Sequence, residues 1–179
     1  RQTPHTVKVM ALYEIGLAEI QRVTQEAREH TEEFLRRAMD KHSSQLKKEL
    51  SAKVKELDRA QKRLADLEKL FRAAFEQLAL ANLSETQFKA LTGGYEEEKQ
   101  ELTIRSEMLE QEINTEKERM LNADRFLKVV QRYTEIQELT PEIVREFIEK
   151  IVVHERSEPW KKKNYTQQID VYFNFVGQV

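Results

Sequence analysis

The longest regular pattern in the sequence is a heptad repeat, in which apolar residues return every seven positions between about residues 31 and 81. A second series, with alternating steps of four and three, runs from Leu102 to Val130. This spacing lines apolar side chains along one stripe of a helix and predicts two coiled-coil seams. The first seam is carried by Leu50, Leu57, Leu64, Phe71 and Leu78 at one position and by Leu46, Ala60, Leu67, Ala74 and Ala81 at the other.

A short polar segment at residues 82–84 separates the two seams. Asn82 is suited to a helix end, and Ser84 with Gln87 three residues later forms a capping box for a new helix. In an antiparallel pair, facing seam residues have numbers with a constant sum, and Leu64 with Leu102 gives 166, as do the other layers. The register therefore predicts a hairpin within one chain.

The chain ends carry different patterns. A proline at position 4 and a broad apolar face from Val9 to Ala27 predict a helix that docks on a globular surface. Near the other end, Thr140 and Pro141 predict a short helix whose apolar face extends to Ile148 and Ile151. Strands are expected over 152–156 and from Ile169 to Phe175, joined by a loop at 157–166.

These elements predict a mainly α fold, in which a long antiparallel coiled-coil hairpin projects from a small α+β base. Residues 1–30 form the base helix, 31–138 the hairpin with its tip near 82–84, and 139–179 a helix plus a β-hairpin. A helix with two strands buries too little to be stable alone. We therefore expect the first and last segments to be neighbours.

Composition supports long solvated helices. The chain has 179 residues with only 4 Gly and 3 Pro, and 35% of its residues are charged. So few chain breakers argue against a sandwich, a barrel or a wound α/β sheet. Residues 35–72 hold 12 basic and 6 acidic residues, whereas residues 85–118 hold 4 and 10. The two arms of the hairpin should therefore attract each other.

Residues for chemistry are scarce. With no cysteine, a disulfide framework and thiolate metal sites are excluded. The four histidines are scattered, and neither a glycine-rich phosphate loop nor a nucleophile elbow occurs. We expect no catalysis, metal, cofactor or small-molecule substrate in this chain. Without a long apolar run or a signal peptide, a soluble, cytoplasmic protein without membrane contact is expected, and the opening without methionine suggests a piece of a longer chain.

Two groups of residues are candidate contact surfaces. Apolar side chains at the hairpin tip indicate either a cap on the end of the seam or a protein-protein contact. A basic and aromatic group in the loop between the strands indicates either a solvated loop or a DNA contact. The tip residues are Leu80, Leu83, Phe88 and Leu91, and the loop residues are Arg156, Trp160, Lys161, Lys162, Lys163 and Tyr165.

Gly93 and Gly94 interrupt the returning arm close to the tip. Each costs near 1 kcal/mol relative to alanine in a helix. We favour a tolerated weak spot in a continuous helix over a functional hinge.

Three stretches of the C-terminal third resemble the C-terminal end of large serine recombinases of the transposon type, which belong to the resolvase and integrase superfamily. Residues 83–88 with Tyr95-Glu96 also resemble the hairpin turn of that family, and Thr3 to Thr6 resembles the stretch after its zinc ribbon. The C-terminal stretches read YTEIQELTPEI at 133–143, IVVHE at 151–155 and QIDVYFNFVG at 168–177.

The resemblance implies a noncatalytic fragment of a bacterial enzyme that cuts and rejoins DNA through a serine-phosphate linkage. The catalytic domain and most of the zinc ribbon would lie upstream, and DNA would be bound through the parent protein. In that family the coiled-coil tip reaches other recombinase subunits, holds paired sites in synapsis and helps to set the direction of recombination. The seams alone equally allow a structural coiled-coil scaffold or oligomerisation module with no DNA role.

Overall fold

A computed structural model describes residues 9–161 and 165–179 of the chain. The described part is mainly helical with one small antiparallel sheet, as the sequence predicts. The expected helix start at Thr3 to Thr6 and the loop residues Lys162 and Lys163 lie outside the described residues. The helices are α1 Val9–Glu29, α2 Thr31–Met39, α3 Ser43–Ala79, α4 Glu85–Arg132 and α5 Pro141–Phe147, and the strands are β1 Ile148–Arg156 and β2 Gln167–Phe173.

The described residues form two compact units. Of the described residues, the first unit comprises those from Val9 to Ser43 and those after Lys117, and the second unit is Ser44–Lys117. Both boundaries fall within the range 31–138 that the sequence analysis assigns to the hairpin.

The core of the first unit gathers residues from both ends of the chain. The ring of Phe126 is fully buried and lies 5.5 Å from the ring of Phe34, 6.1 Å from that of Phe147 and 6.0 Å from that of Phe173. Ile20, Val23 and Ala27 of α1 belong to the same cluster. The predicted proximity of the first and last segments is confirmed. Burial of this shared cluster stabilises the base, whereas a helix and two strands alone would bury too little apolar surface to be stable.

Polar contacts hold α1 against the segment that follows α4. The Gln21 side-chain amide donates to the Ile136 carbonyl at 2.8 Å, and the Tyr13 hydroxyl accepts from the Leu139 backbone N–H at 3.0 Å. Gly16 allows the close approach, because a Cβ at this position would lie 3.3 Å from Leu139 Cδ1.

The C-terminal helix begins as predicted but ends earlier. The Thr140 hydroxyl accepts from the Ile143 N–H at 3.2 Å, and Pro141 occupies the first helical position. The expected continuation of the helix to Ile148 and Ile151 is wrong. Both residues belong to β1, where Ile148 pairs with Phe173 and Ile151 with Val171.

The second strand begins and ends two residues earlier than expected, at Gln167 and Phe173. Phe175 does not continue the alternation, because it takes a left-handed conformation with φ 71° and is 46% exposed. The backbone N–H and C=O of Phe173 instead bond to Gly177, which closes the turn. The sheet has two strands in the described chain, paired antiparallel as predicted.

In the second unit α3 and α4 pack together as the two arms of the antiparallel hairpin. The buried seam residues come mainly from one seam position of α3, whereas Leu57, Leu64 and Leu78 are half-buried and Phe71 is 37% exposed. Ala81 leaves the seam, because it is exposed and lies beyond the end of α3. The buried positions are Leu46, Ala60, Leu67 and Ala74 on α3, and Thr92, Ser106, Leu109 and Ile113 on α4.

The first arm is interrupted, contrary to the expectation of one helix from about Thr31. Asp40 adopts a left-handed conformation with φ 56° and ends α2, and α3 starts only at Ser43. Asp tolerates this conformation better than most residues. Phe34 of α2 instead belongs to the core of the first unit. At 1.5 Å per residue, the 37 residues of α3 span about 55 Å and the 48 of α4 about 72 Å, against about 75 Å expected for each arm.

Candidate functional site

The hairpin turn is built from two helix caps. At the end of α3, the Asn82 N–H donates to the Gln77 carbonyl at 2.9 Å and the Ala81 N–H donates to the Leu78 carbonyl at 3.0 Å. With Ala81 at φ 60°, this is a Schellman motif. The sequence suggested Asn82 as the helix end, and the left-handed residue is its neighbour Ala81.

The predicted capping box starts the returning helix. The Ser84 hydroxyl accepts from the Gln87 N–H at 3.1 Å, and the Gln87 side-chain carbonyl accepts from the Ser84 N–H at 3.0 Å. This confirms the reversal of the chain at residues 82–84, where the tip was expected.

An exposed apolar surface surrounds this turn, and we call it the tip patch. Its most exposed side chains are Leu80 at 68%, Phe75 at 57% and Leu91 at 43%. Leu83 and Phe88 are half-buried. The tip patch comprises Phe71, Phe75, Leu80, Leu83, Phe88 and Leu91.

Aromatic contacts across the hairpin hold the tip patch together. The ring of Phe88 on α4 lies edge-on to the rings of Phe71 at 5.9 Å and Phe75 at 6.4 Å on α3. Edge-to-face pairs of this kind contribute about 0.5 to 1.5 kcal/mol each. Sequence reasoning missed Phe75 because it lies outside both seam positions, although its four-residue step from Phe71 placed it on the same side of the helix.

Charged pairs cross between the arms in antiparallel order. Arg63 bonds to Glu98 at 2.6 Å and Arg105 to Glu56 at 2.8 Å, and Lys53 lies 3.2 Å from Glu112. The hydrogen bonds from the two arginines hold the pKa of Glu98 and of Glu56 below the usual value for glutamate. These groups are partly exposed, so the pairs set partner and orientation more than stability.

A groove of about 210 Å³ lies between the arms and shares Phe71 with the tip patch. Leu67 forms its floor on the seam side, and Arg72 and Glu96 bring opposite charges to its lining. Aliphatic, aromatic and charged groups thus meet next to the tip.

The candidate DNA-contact loop follows β1. Trp160 is 75% exposed, and the Lys161 ammonium lies 2.6 Å from the Glu158 carboxylate. The Arg156 guanidinium lies over the Tyr165 ring, 4.3 Å from its centroid. The structure therefore brings Arg156 and Tyr165 together and leaves the indole of Trp160 accessible.

The solvent face of the sheet carries one further polar cluster. His154 Nε2 lies 2.7 Å from Asp170 Oδ2. The amides of Gln168 and Gln178 donate to the other oxygen of Asp170. Hydrogen bonding, first of all from His154, lowers the pKa of Asp170 from its usual value of 3.8.

Two other kinds of site are absent from the described part of the chain. Among residues 9–161 and 165–179, no three His, Asp or Glu side chains are arranged to hold a metal ion. Within the same described ranges, no helix combines the length and the apolar character that crossing a bilayer requires.

Comparison with known proteins identifies one domain. Residues 112–179 match the family model of a domain of unknown function, DUF4368. This range contains the C-terminal part of α4, all of α5 and both strands. No curated protein and no solved structure matches the chain.

Proposed function

We propose that the chain is a noncatalytic regulatory segment of a site-specific DNA recombinase of the serine type. In this proposal the tip patch contacts another recombinase subunit, so that the hairpin helps to pair two DNA-bound partners and to set the direction of recombination. The parent protein would act in the bacterial cytoplasm and supply catalysis and most DNA binding through domains outside this chain. The resemblance of residues 133–143, 151–155 and 168–177 supports this class of parent.

The exposure of the tip patch carries the proposal. A cap that only closes the end of the seam requires buried apolar side chains, whereas Leu80, Phe75 and Leu91 are between 43% and 68% exposed. Concentrated apolar surface at one end of a helical pair is typical of an interaction site. A plain scaffold, the alternative function, gains nothing from such a surface at its turn.

The β1–β2 loop is the second part of the proposal. An accessible Trp160 beside the Arg156 and Tyr165 pair offers stacking and positive charge, the two features with which proteins hold nucleic acid. We expect Trp160→Ala to weaken DNA binding by the parent protein without affecting the pairing of sites already bound.

The tip is tested by Leu80→Glu in the full-length recombinase, with gel-shift assays that separate single-site from paired-site complexes. Leu80 is preferred to Leu83, because Leu83 is half-buried at the turn. The matched control is Ile104→Glu, since Ile104 is an apolar residue of α4, 53% exposed, outside the tip patch.

We expect Leu80→Glu to leave single-site complexes intact and to remove most paired-site complexes, while Ile104→Glu changes neither. Unchanged paired-site complexes in Leu80→Glu would refute the role of the tip. An equal loss in both variants would favour the scaffold function, in which the hairpin as a whole matters and its end does not.

A further inference from the structure

Four lysines follow one another at seven-residue intervals along α3. They are Lys48, Lys55, Lys62 and Lys69, and all four are exposed. Seven residues are nearly two helical turns, so these side chains share one face, about 10.5 Å apart and over about 32 Å in all. We call this set the lysine row. It lies on the side of α3 opposite the buried seam positions.

Most of this charge is not neutralised within the chain. Lys62 forms an ion pair with Asp58 at 2.9 Å, one turn away on the same helix. Lys48, Lys55 and Lys69 have no ion-pair partner in the described part of the chain. The cross-arm pairs instead use Lys53 and Arg63, which stand nearer the seam. The lysine row is therefore available to an external anion.

The spacing of the row limits what that anion is. The acidic helix α4 of a second copy does not repeat the seven-residue spacing of the lysine row, because no two glutamates of α4 lie seven residues apart. A membrane surface calls for bulky apolar residues beside the cations. The residues between the lysines on this face are small or charged, namely Ser51, Ala52, Asp58, Arg59, Ala65 and Asp66. Single-stranded nucleic acid calls for aromatic stacking platforms, and this face has none.

A duplex nucleic acid backbone does match. It is a stiff polyanion with about one charge per 1.7 Å of axis, so a row of about 32 Å lies beside nearly one duplex turn, within which the flexible lysines can reach phosphates of both strands. Lysine serves such a backbone as a point charge without reading sequence. We propose that the lysine row of α3 binds the phosphate backbone of duplex DNA, independently of base sequence.

This inference goes beyond the proposed function, which requires no DNA contact from the hairpin itself. A hairpin that rests on DNA through α3 has its tip patch held at a defined direction relative to the duplex. Failure of the lysine row to bind DNA would leave the role of the tip untouched, because the two surfaces share no residue.

The salt dependence of binding gives the expected size of the effect. Each phosphate neutralised contributes about −0.9 to the slope of log K against log salt concentration. Four contacts predict a slope near −3.6, which is roughly a 150-fold loss of affinity between 50 and 200 mM salt.

The experiment measures binding of the 179-residue chain to a duplex of about 30 base pairs, roughly three turns, by fluorescence anisotropy at several salt concentrations. The test variant carries Lys→Gln at all four positions of the lysine row. The control carries Lys→Gln at Lys89, Lys99, Lys117 and Lys128 of α4 and therefore has the same net charge. Glutamine and lysine have similar helix propensities, and circular dichroism verifies that both variants keep their helices.

We expect the test variant to lose the salt-dependent binding and the control to keep a slope within about one unit of the unsubstituted chain. Single Lys→Gln changes in the row should each reduce the slope by about 0.9. The proposal is overturned if the unsubstituted chain does not bind at low salt, if both variants lose binding equally, or if single-stranded DNA of the same length binds more tightly than duplex. Loss of self-association in the test variant alone would also overturn it in favour of a protein partner.

Discussion

Replacing Gly93 and Gly94 by alanine should stabilise the hairpin. Both glycines lie inside the continuous helix α4, neither has a positive φ, and a Cβ added at either position meets nothing within 4 Å. The gain is therefore the difference in helix propensity, about 0.8 to 1 kcal/mol at each position and about 1.6 to 2 kcal/mol for the pair. For a chain of this length that is roughly 3 to 8 °C in Tm.

The assay is thermal and urea unfolding followed by far-UV circular dichroism. Gly177→Ala is the matched control, because it adds the same methyl group in equally open space at a φ of +68°. Alanine is strained there, so we expect a loss of about 1 kcal/mol in place of a gain. A loss of stability in Gly93→Ala or Gly94→Ala would refute the description of α4 as a regular exposed helix at this point.

The same variants decide whether the glycine pair is a hinge. In the assay for the proposed function, if the full-length protein carrying Gly93→Ala and Gly94→Ala still forms paired-site complexes, the pair is only a weak spot, as we favour. If the stabilised protein loses paired-site complexes while single-site binding persists, bending at the pair is part of the function.

Further predictions concern the turn, the seam, the core and the sheet. Ala81→Gly should raise the free energy of unfolding by about 0.5 to 1 kcal/mol, because glycine relieves the left-handed strain at φ 60°. Ser106→Ala should raise it by about 1 kcal/mol, because the buried Ser106 hydroxyl has no hydrogen-bond partner in the described chain. Phe126→Ala should lower it by about 3 to 5 kcal/mol, since the ring is fully buried among three others; urea unfolding measures all three. Asp170→Asn should lower the Tm at neutral pH. The hydrogen bond from His154 is the chief cause of the lowered pKa of Asp170, so the ionised carboxylate stabilises the fold at pH values above its usual pKa. That difference in Tm should close as the pH falls below about 4 and the carboxylate takes up its proton; a difference that persists at lower pH would contradict the assignment.

The hairpin could be predicted from the sequence because its determinants are local and repeated. The heptads fix two seams, and Ser84 with Gln87 fixes the start of the second helix within four residues. The cap of the C-terminal helix at Thr140 was readable for the same reason. The seven-residue spacing of the lysine row is also present in the sequence, but it is a periodicity of polar residues and the seams are defined by apolar ones.

Other features depended on partners distant in sequence. The spacing of Ile148 and Ile151 is compatible with a helix face and with a strand. They belong to β1 because they pair across the sheet with Phe173 and Val171. Phe175 continues the alternation of β2 in the sequence, yet the bonds between Phe173 and Gly177 turn the chain before it. Such choices are set by tertiary contacts that no local pattern contains.

The first arm was also expected to begin too early in the chain. Phe34 lies within the range assigned to that arm but at neither seam position, and its ring stacks on Phe126 in the core of the first unit. Asp40 ends the helix in a left-handed conformation. The sequence does not predict this end, because Asp is also common on exposed helix surfaces. The candidate tip was found from its position at the turn, whereas the exposure of its residues required the structure.

The central claim is that one chain doubles back so that α3 and α4 pack against each other and leave an apolar tip. Because the chain has no cysteine, Gln61→Cys with Glu110→Cys gives two clean spin-label sites, at side chains that contact each other across the arms at 3.3 Å. Labelled chain diluted into an excess of unlabelled chain should show a short inter-label distance, as helices with axes about 8 to 10 Å apart require. A short distance that disappears on dilution, or that is absent altogether, would contradict the account.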